Sequence, residues 1–430
     1  MKAKTLLLLG CALGSFTLEI SAADWPQYRG PGHDGVSPEK LLKSWPADGP
    51  HQVWKQPLTD GFSSFAVSGG RAFTIVLREV DSARQEVAVG LDAHDGKELW
   101  ARPLGVGKYD GGGDSGTQDN KGGDGPRTTP ALDGGKVYVM SSKMVLKCLD
   151  AATGNEVWSK DLVADFGGHN IRWQCGASPL IEDGLVFVVG GGTGQSLLAF
   201  NAKDGSVAWK GEDDLMTQST PIAATILGTR QVIFFTQKGL VAVVPKTGKV
   251  LWRQAFPFAV ATAISPVVSG DIVYCSAAYN VGAAASRISK TGDTFEATQL
   301  WFNKGNSQAN HWSTPVCVDG YLYGICDQAK YGKAPLKCVE LATGKVMWSK
   351  ENFGMGGVLY VDGQVMVLTD AGELVLVKPD SAEYHEISRN KILAGKCWNV
   401  PAISNGQLFA RSTKEGVCLD IGPKLSAKLN

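Results

Sequence analysis

Short stretches in which apolar and polar residues alternate fill most of the chain, and they break at Asp-Gly, Asn-Gly and Ser-Gly turns. The stretches VDGYLYGI and VDGQVMVL are two examples. A period of two predicts strands with one buried face, and a two-residue Gly turn between such runs predicts a hairpin. The turn glycines Gly69, Gly134, Gly184, Gly228, Gly270, Gly320, Gly363 and Gly406 recur at intervals of 42 to 50 residues after one longer interval of 65. That longer interval holds an insertion over 105–126. Eight units of about 40–50 residues match the period of a four-stranded propeller blade.

Two further series run in phase. Glycine stands four residues before tryptophan at Gly96/Trp100, Gly154/Trp158, Gly205/Trp209, Gly248/Trp252 and Gly344/Trp348, in strings such as LDAHDGKELW and LDAATGNEVW. Each reads as strand, tight turn, then a strand carrying the Trp. Trp301, in QLW, lacks the preceding glycine. Thr129-Pro130, Ser178-Pro179, Thr220-Pro221, Ser265-Pro266 and Thr314-Pro315 each open a unit. The expected fold is all-β: an eight-bladed β-propeller of four-stranded antiparallel blades. Trp54, Trp100, Trp158, Trp209, Trp252, Trp301 and Trp348 are the residues expected to dock blade on blade. The eighth unit ends at a third strand, 417–419, while HQVWK at 51–55 is an orphan fourth strand. The N-terminal strand over 51–58 is therefore expected to complete the last blade and close the ring, which also hides sheet edges. Blade seven departs from the pattern: Gly356-Gly357 replaces Ser/Thr-Pro, and its outer strand near Tyr384 has no Trp.

The ends divide further. Lys2, Lys4, the apolar run 5–16 and Ser21-Ala22-Ala23 predict an export signal over 1–23. A periplasmic or secreted location follows. The apolar run before Cys11 is short for a lipid-anchor signal, so a lipoprotein is not expected. No stretch is long enough to span a bilayer. Residues 24–50 read as an extension packing on the ring through Trp25 and Tyr28, 51–422 as the propeller, and 423–430 as a tail.

Composition narrows the function. The 42 basic and 42 acidic residues cancel, which speaks against nucleic acid as a partner. Eight cysteines remain beyond the signal, with no C-x-x-C pair and no zinc spacing. Cys148, Cys338 and Cys418 share a repeat position with Ala199 and Ala242, so they read as small core residues. Cys317 is expected to face Leu322 across its hairpin rather than Cys326.

Loops leading into the inner strands should converge on one mouth of the central channel. They carry Arg127; Arg172, Trp173 and Gln174; Gln218; Asn310, His311 and Trp312; and Lys396, Trp398 and Asn399. Aromatic faces with amide and cationic groups suit a sugar, a small organic ligand or an extended peptide. The same residues could instead brace neighbouring blades. His311 is the best acid–base candidate by type, with His169 second, but neither has a visible nucleophile or a second metal ligand. Asp110, Asp114, Asp119 and Asp124 in the insertion could wrap calcium, although the EF-hand pattern is absent, no Glu closes the loop and a solvated loop is the simpler reading.

The Gly-x-x-x-Trp strings, together with Asp24-Trp25-Pro26-Gln27-Tyr28-Arg29-Gly30-Pro31, resemble exported bacterial PQQ-like propeller-repeat proteins. This family resemblance covers nearly the whole mature chain. It extends to two architectural relatives, the PQQ-dependent alcohol dehydrogenases and the outer-membrane assembly factor BamB, a scaffold without cofactor. The dehydrogenase resemblance implies PQQ held between a Trp and a disulfide of adjacent cysteines, with calcium and an Asp base. This chain has no Cys-Cys dipeptide. The expectation is a monomeric, non-enzymatic scaffold presenting its channel mouth to a protein or carbohydrate, with no metal and no bound PQQ. The alternative is a PQQ- and calcium-dependent dehydrogenase of an alcohol or sugar.

Overall fold

The structure is a computed structural model that describes residues 24–43, 45–46, 48–107, 123–327 and 331–423. The signal, Cys11, Asp110, Asp114, Asp119 and most of the tail lie outside the described residues. Within them the chain forms eight sheets, each with four antiparallel strands and one with a fifth, parallel strand, and no helix. No helix is therefore long and apolar enough to cross a membrane. Seven blades follow in sequence over 66–106, 131–161, 180–211, 222–255, 267–304, 316–350 and 357–391. The eighth takes three strands from 402–420 and its outermost from His51–Pro57, which pairs antiparallel with Glu415–Asp420. That pairing closes the ring, as the orphan strand predicts. Beside the inner edge of blade 7 lies a short parallel strand, Val36–Ser37.

The turn glycines all sit between the first and second strands of their blades. At most of them both turn residues have positive φ, as at Asp319 (49°) and Gly320 (81°), the geometry that matches strand twist. Across six of the eight blades a three-residue row recurs: an aromatic on strand two, a small residue on strand three and the Trp on strand four. Blade 2 has Tyr138, Cys148 and Trp158; blade 6 has Tyr323, Cys338 and Trp348; blade 8 has Phe409, Cys418 and Trp54. The small residue lets the two rings meet over it, with centroids 5.9 Å apart in blades 2 and 6. Blade 1 has Gly90 in this slot, where a Cβ would lie 2.5 Å from the Trp100 ring. Cys148, Cys338 and Cys418 are thus spacers, and the eight cysteines among the described residues are unbridged. Cys317 pairs with Leu322, as its register predicts.

Every docking Trp except Trp252 also reaches the next blade. The Trp54, Trp100, Trp158, Trp209 and Trp301 indoles donate to backbone carbonyls of Ala93, Ala151, Ala202, Pro245 and Leu341 at 2.7–3.1 Å. Their rings cover the turn glycines Gly96, Gly154, Gly205, Gly248 and Gly344, leaving no room for a Cβ. Trp301 docks normally although its own strand lacks the glycine, because the glycine it needs belongs to the following blade. Trp252 is buried but donates to Gln231 of its own blade, at 2.7 Å. Its row has Ile233 in place of an aromatic, and the glycine turn of blade 5, at Gly292, faces open space. Phe256 packs on Phe302 at this seam instead, with centroids 5.8 Å apart.

Nearer the axis, the Ser/Thr-Pro series forms a belt. The Ser64, Thr129 and Ser178 N–H groups donate to the hydroxyls of Thr129, Ser178 and Thr220, each on the next blade. Ser265 N–H donates likewise to Thr314, and Val400 N–H to Ser64. Blade 7 has Gly357 here, and a Cβ would meet Asn399 O at 2.4 Å. Blades 7 and 8 therefore approach too closely for the usual side chain.

Residues 24–43 cap the end of the channel opposite the loops. Trp25 bridges Val67 of blade 1, Pro26 O accepts from Leu132 N of blade 2, and Gln27 pairs with Ile181 of blade 3. His33 meets Ala223 of blade 4, and the buried Arg29 donates to Thr314 O and Pro315 O of blade 6. The DWPQYRGP motif is thus a plug that strings blades together.

Candidate functional site

The mouth is built from one repeat position. Two residues ahead of each belt position stand Phe62, Arg127, Gly176, Gln218, Ala263, Trp312, Met355 and Trp398. Gly176 leaves a gap that the Gln218 and Arg127 Cβ atoms flank at 3.4 and 3.6 Å from its missing Cβ. Large side chains at this register fold inward over the channel and touch.

They touch as a line of rings. Phe62 stacks on Trp398 with centroids 5.1 Å apart, Trp398 meets Trp312 at 4.5 Å, Trp312 meets His311 at 4.2 Å, and His311 meets Tyr279 at 5.0 Å. The Tyr279 hydroxyl then faces the Trp173 indole, with Arg172 and Arg127 close enough to favour its ionised form against the larger effect of burial. The Arg172 guanidinium lies 4.6 Å over the Trp173 ring. The ledge therefore runs from blade 1 through blades 8, 6 and 5 to the loop entering blade 3. Trp173, Tyr279, Trp312 and Trp398 are half-buried along it, and Arg172 is exposed.

The remaining sequence candidates divide between ledge and scaffold. Arg127 donates to Trp173 O at 3.1 Å, and Gln218 donates to Gln174 O at 2.7 Å, so both hold the blade-3 loop. Asn399 donates to Arg411 O at 3.1 Å and is buried. Asn310 turns into the wall, bonded by the Tyr274 hydroxyl at 2.6 Å and to Ile325 O at 2.7 Å. His169 stays exposed. Burial pushes the His311 imidazole down to about 3, so at neutral pH it is uncharged. Packed between two rings with no carboxylate acting on it, it lacks the partner that acid–base catalysis requires. Its Nδ1 and the Asn399 Oδ1 have no hydrogen-bond partner among the described residues.

Sequence reasoning missed three parts. Phe62 shares the register of Trp312 and Trp398, so aligning the belt hydroxyls would have found it. Tyr279 comes from a hairpin between strands two and three, outside the loops that carry the repeat signal. Lys396 and Asp124 form an ion pair buried at both ends, with the ammonium 4.5 Å over the Trp398 ring. Desolvation pushes the Asp124 carboxyl up, and Lys396 opposes that shift. Asp124 is thus a strut between blades 2 and 8, committed to a lysine rather than to an ion in the insertion. Among the described residues no three His, Cys, Asp or Glu side chains are grouped to hold a metal. Cys175 and Cys397, beside mouth residues, are single and buried. Phe62 stacks on Trp398, while Trp312 tilts against Trp398 at 42°.

The family model for outer membrane protein assembly factor BamB matches residues 83–350. The BamB of Moranella endobia is 24% identical over 263 residues, 57% of this chain and 63% of that protein. The BamB of Yersinia pestis is 22% identical over 264 residues, 58% and 63% of the two chains. The match thus spans less than two thirds of these relatives' length. Among solved structures, BamB from Moraxella catarrhalis superposes with a TM-score of 0.59 at 15% identity, covering 88% of this chain and 98% of that one. Quinohemoprotein alcohol dehydrogenase from Comamonas testosteroni gives 0.59 at 15% identity, covering 95% and 82%. At such identities the superpositions show the shared fold alone. With a family model matched over more than half its length, the chain belongs to the PQQ-like repeat family of the outer membrane protein assembly factor BamB.

Proposed function

We propose that this protein is an exported, non-enzymatic binding scaffold that presents its channel mouth to a protein or carbohydrate ligand and works without PQQ. The observation that carries this reading is the line of touching rings, half-buried where ordinary core aromatics would be covered. The opposite end of the channel is capped by 24–43, which leaves the mouth as the accessible end. Its relatives are outer membrane protein assembly factors, which supports a scaffold that works outside the cytoplasm. The single, buried cysteines support a site without quinone. Unpaired His311 supports binding over catalysis.

Two measurements test it. Calorimetric titration of the purified protein with PQQ and calcium, followed by a dye-linked alcohol oxidation assay, should give neither stoichiometric heat nor turnover. Turnover would make the protein a dehydrogenase. Affinity capture from a membrane extract, repeated with Trp398→Ala, should lose its partner through the mouth change while Arg230→Ala on the plugged face retains it. Equal capture by both variants would move the binding surface elsewhere.

A further inference from the structure

The first hairpin of blade 8 carries chemistry that the propeller does not use. Asn405-Gly406 is the one Asn-Gly dipeptide of the chain. In such a pair the glycine amide nitrogen, with no Cβ beside it, can attack the asparagine carboxamide carbon. The nitrogen gives up its proton as the new N–C bond forms, ammonia leaves, and a five-membered succinimide results. Water then opens that ring at either carbonyl, to aspartate or to isoaspartate. The net change is one water consumed and one ammonia released, with no oxidant or reductant.

The turn holds the two reacting groups differently. Asn405 is exposed, and no hydrogen bond among the described residues ties down its carboxamide. Gly406 is buried and held on both sides. Its carbonyl accepts the N–H groups of Ile421 at 2.9 Å and Gly422 at 2.8 Å. Its own N–H donates to Glu39 Oε2 at 2.5 Å, and the Asn405 N–H donates to Glu39 Oε1 at 2.6 Å. Glu39 is buried and belongs to the extension, which pairs with blade 7 at Val36–Ser37 and donates from Leu42 N–H to Ile421 O of blade 8. A carboxylate in this position opposes the reaction. Removing the Gly406 proton would set a second negative charge against Glu39, and the hydrogen bond holds the nitrogen towards Glu39.

We propose that Asn405 is a deamidation site guarded by the Glu39 carboxylate: it converts when the extension lifts from blade 8, and its conversion hinders the extension from returning. Aspartate at 405 adds a carboxylate to the residue whose N–H anchors Glu39. Isoaspartate adds a carbon to the backbone of the turn, so the two N–H groups no longer converge on one carboxylate. The modification is thus one-way, and it reads out how long the extension has been undocked.

The test is incubation of the purified protein in mildly alkaline buffer made with heavy-oxygen water, followed by peptide mass spectrometry at intervals. The label enters at residue 405 as the amide becomes an acid. Glu39→Ala should convert about tenfold faster than folded wild type, the weight of a hydrogen bond to a charged group. The other asparagines should keep their wild-type rates, and a melting curve shows that the variant is folded. Wild type in denaturant should convert faster than the folded protein. Asn405→Asp, the product itself, should speed amide exchange at Leu42 and Tyr360 severalfold, whereas Asn405→Gly, which keeps the positive φ without the charge, should not. A Glu39→Ala rate equal to wild type, or acceleration at every asparagine alike, would overturn the guard. Equal rates in folded and denatured wild type would do the same, and no conversion in denaturant would remove the site. Equal exchange in the two Asn405 variants would overturn the effect on the extension.

Discussion

The seams between blades 1 and 2 and between blades 7 and 8 solve the same packing problem by different means. At the first, the Trp100 ring lies on Gly154 and its indole donates to Ala151 O, all within the repeat. At the second there is no Trp, because the outer strand of blade 7, His385–Lys391, carries none. The extension binds there instead. Val36–Ser37 extends blade 7, Asp362 receives Lys40 and Leu41 N–H, and Leu42 N–H donates to Ile421 O of blade 8. The Glu39 carboxylate accepts the N–H groups of Asn405 and Gly406 in the blade 8 hairpin, at 2.6 and 2.5 Å. A ring assembled from repeats can lose one docking side chain when a segment outside the repeat spans the gap.

The widest contrast lies between a docked turn and one that receives no Trp. Gly248 (φ 69°) lies under the Trp209 ring, with a Cβ only 2.6 Å away, whereas Gly292 (φ 58°) in blade 5 faces open space. Both conformations disfavour an L side chain, by about 1–2 kcal/mol. Only Gly248 adds overpacking, about 1–3 kcal/mol more. Gly248→Ala should therefore lower stability by about 2–5 kcal/mol and Gly292→Ala by about 1–2 kcal/mol, measured by chemical denaturation. Equal losses would mean that the Trp on glycine contact contributes nothing.

Next comes the strap. Glu39→Gln keeps one acceptor and turns an amide N–H₂ toward a backbone donor, leaving one buried N–H unmet. The expected cost is about 1–3 kcal/mol. Faster amide exchange at Tyr360, whose N–H donates to Gly35 O at 2.9 Å, should accompany it. Unchanged exchange there would mean that the strap rides on the ring without holding it.

Much of this was legible because the repeat is written in residue types with one physical job each. Glycine marks a turn or a docking surface, and Ser/Thr-Pro marks the hydroxyl belt. Trp54 announced ring closure from nearly the other end of the chain. What stayed hidden had no periodic signal. The Asp124–Lys396 pair joins residues 272 apart in sequence, and Tyr279 reaches the ledge from a hairpin of its own. Trp252 followed the sequence rule yet docks within its own blade, because docking depends on the partner blade, which the local string does not describe.

The smallest effect compares the mouth with the plug through their histidines. His311 is packed between Tyr279 and Trp312; His33 accepts from the Gln27 amide at Nε2, 2.7 Å away, and faces the Ala223 backbone through Nδ1. Burial lowers both imidazoles below their ordinary value of 6.5, His311 to about 3. Above that ordinary value both histidines are neutral in the folded and the unfolded chain, so neither affects stability. As pH falls through it the unfolded chain takes up protons that the folded one refuses. Stability then drops, by up to about 1.4 kcal/mol per pH unit for each histidine. Melts between about pH 7.5 and 5.5 keep the carboxylates largely out of the comparison. His33→Gln and His311→Gln should each flatten the slope by about one histidine's share. The two variants should part in their local signature. In the wild type, acid protonation of His33 Nε2 would set it against the Gln27 amide donor, so exchange should rise at Ile181 N–H, which donates to Gln27 Oε1 at 3.0 Å. His33→Gln should abolish that rise and His311→Gln should leave it. A rise that survives His33→Gln would mean that the plug is held independently of its histidine.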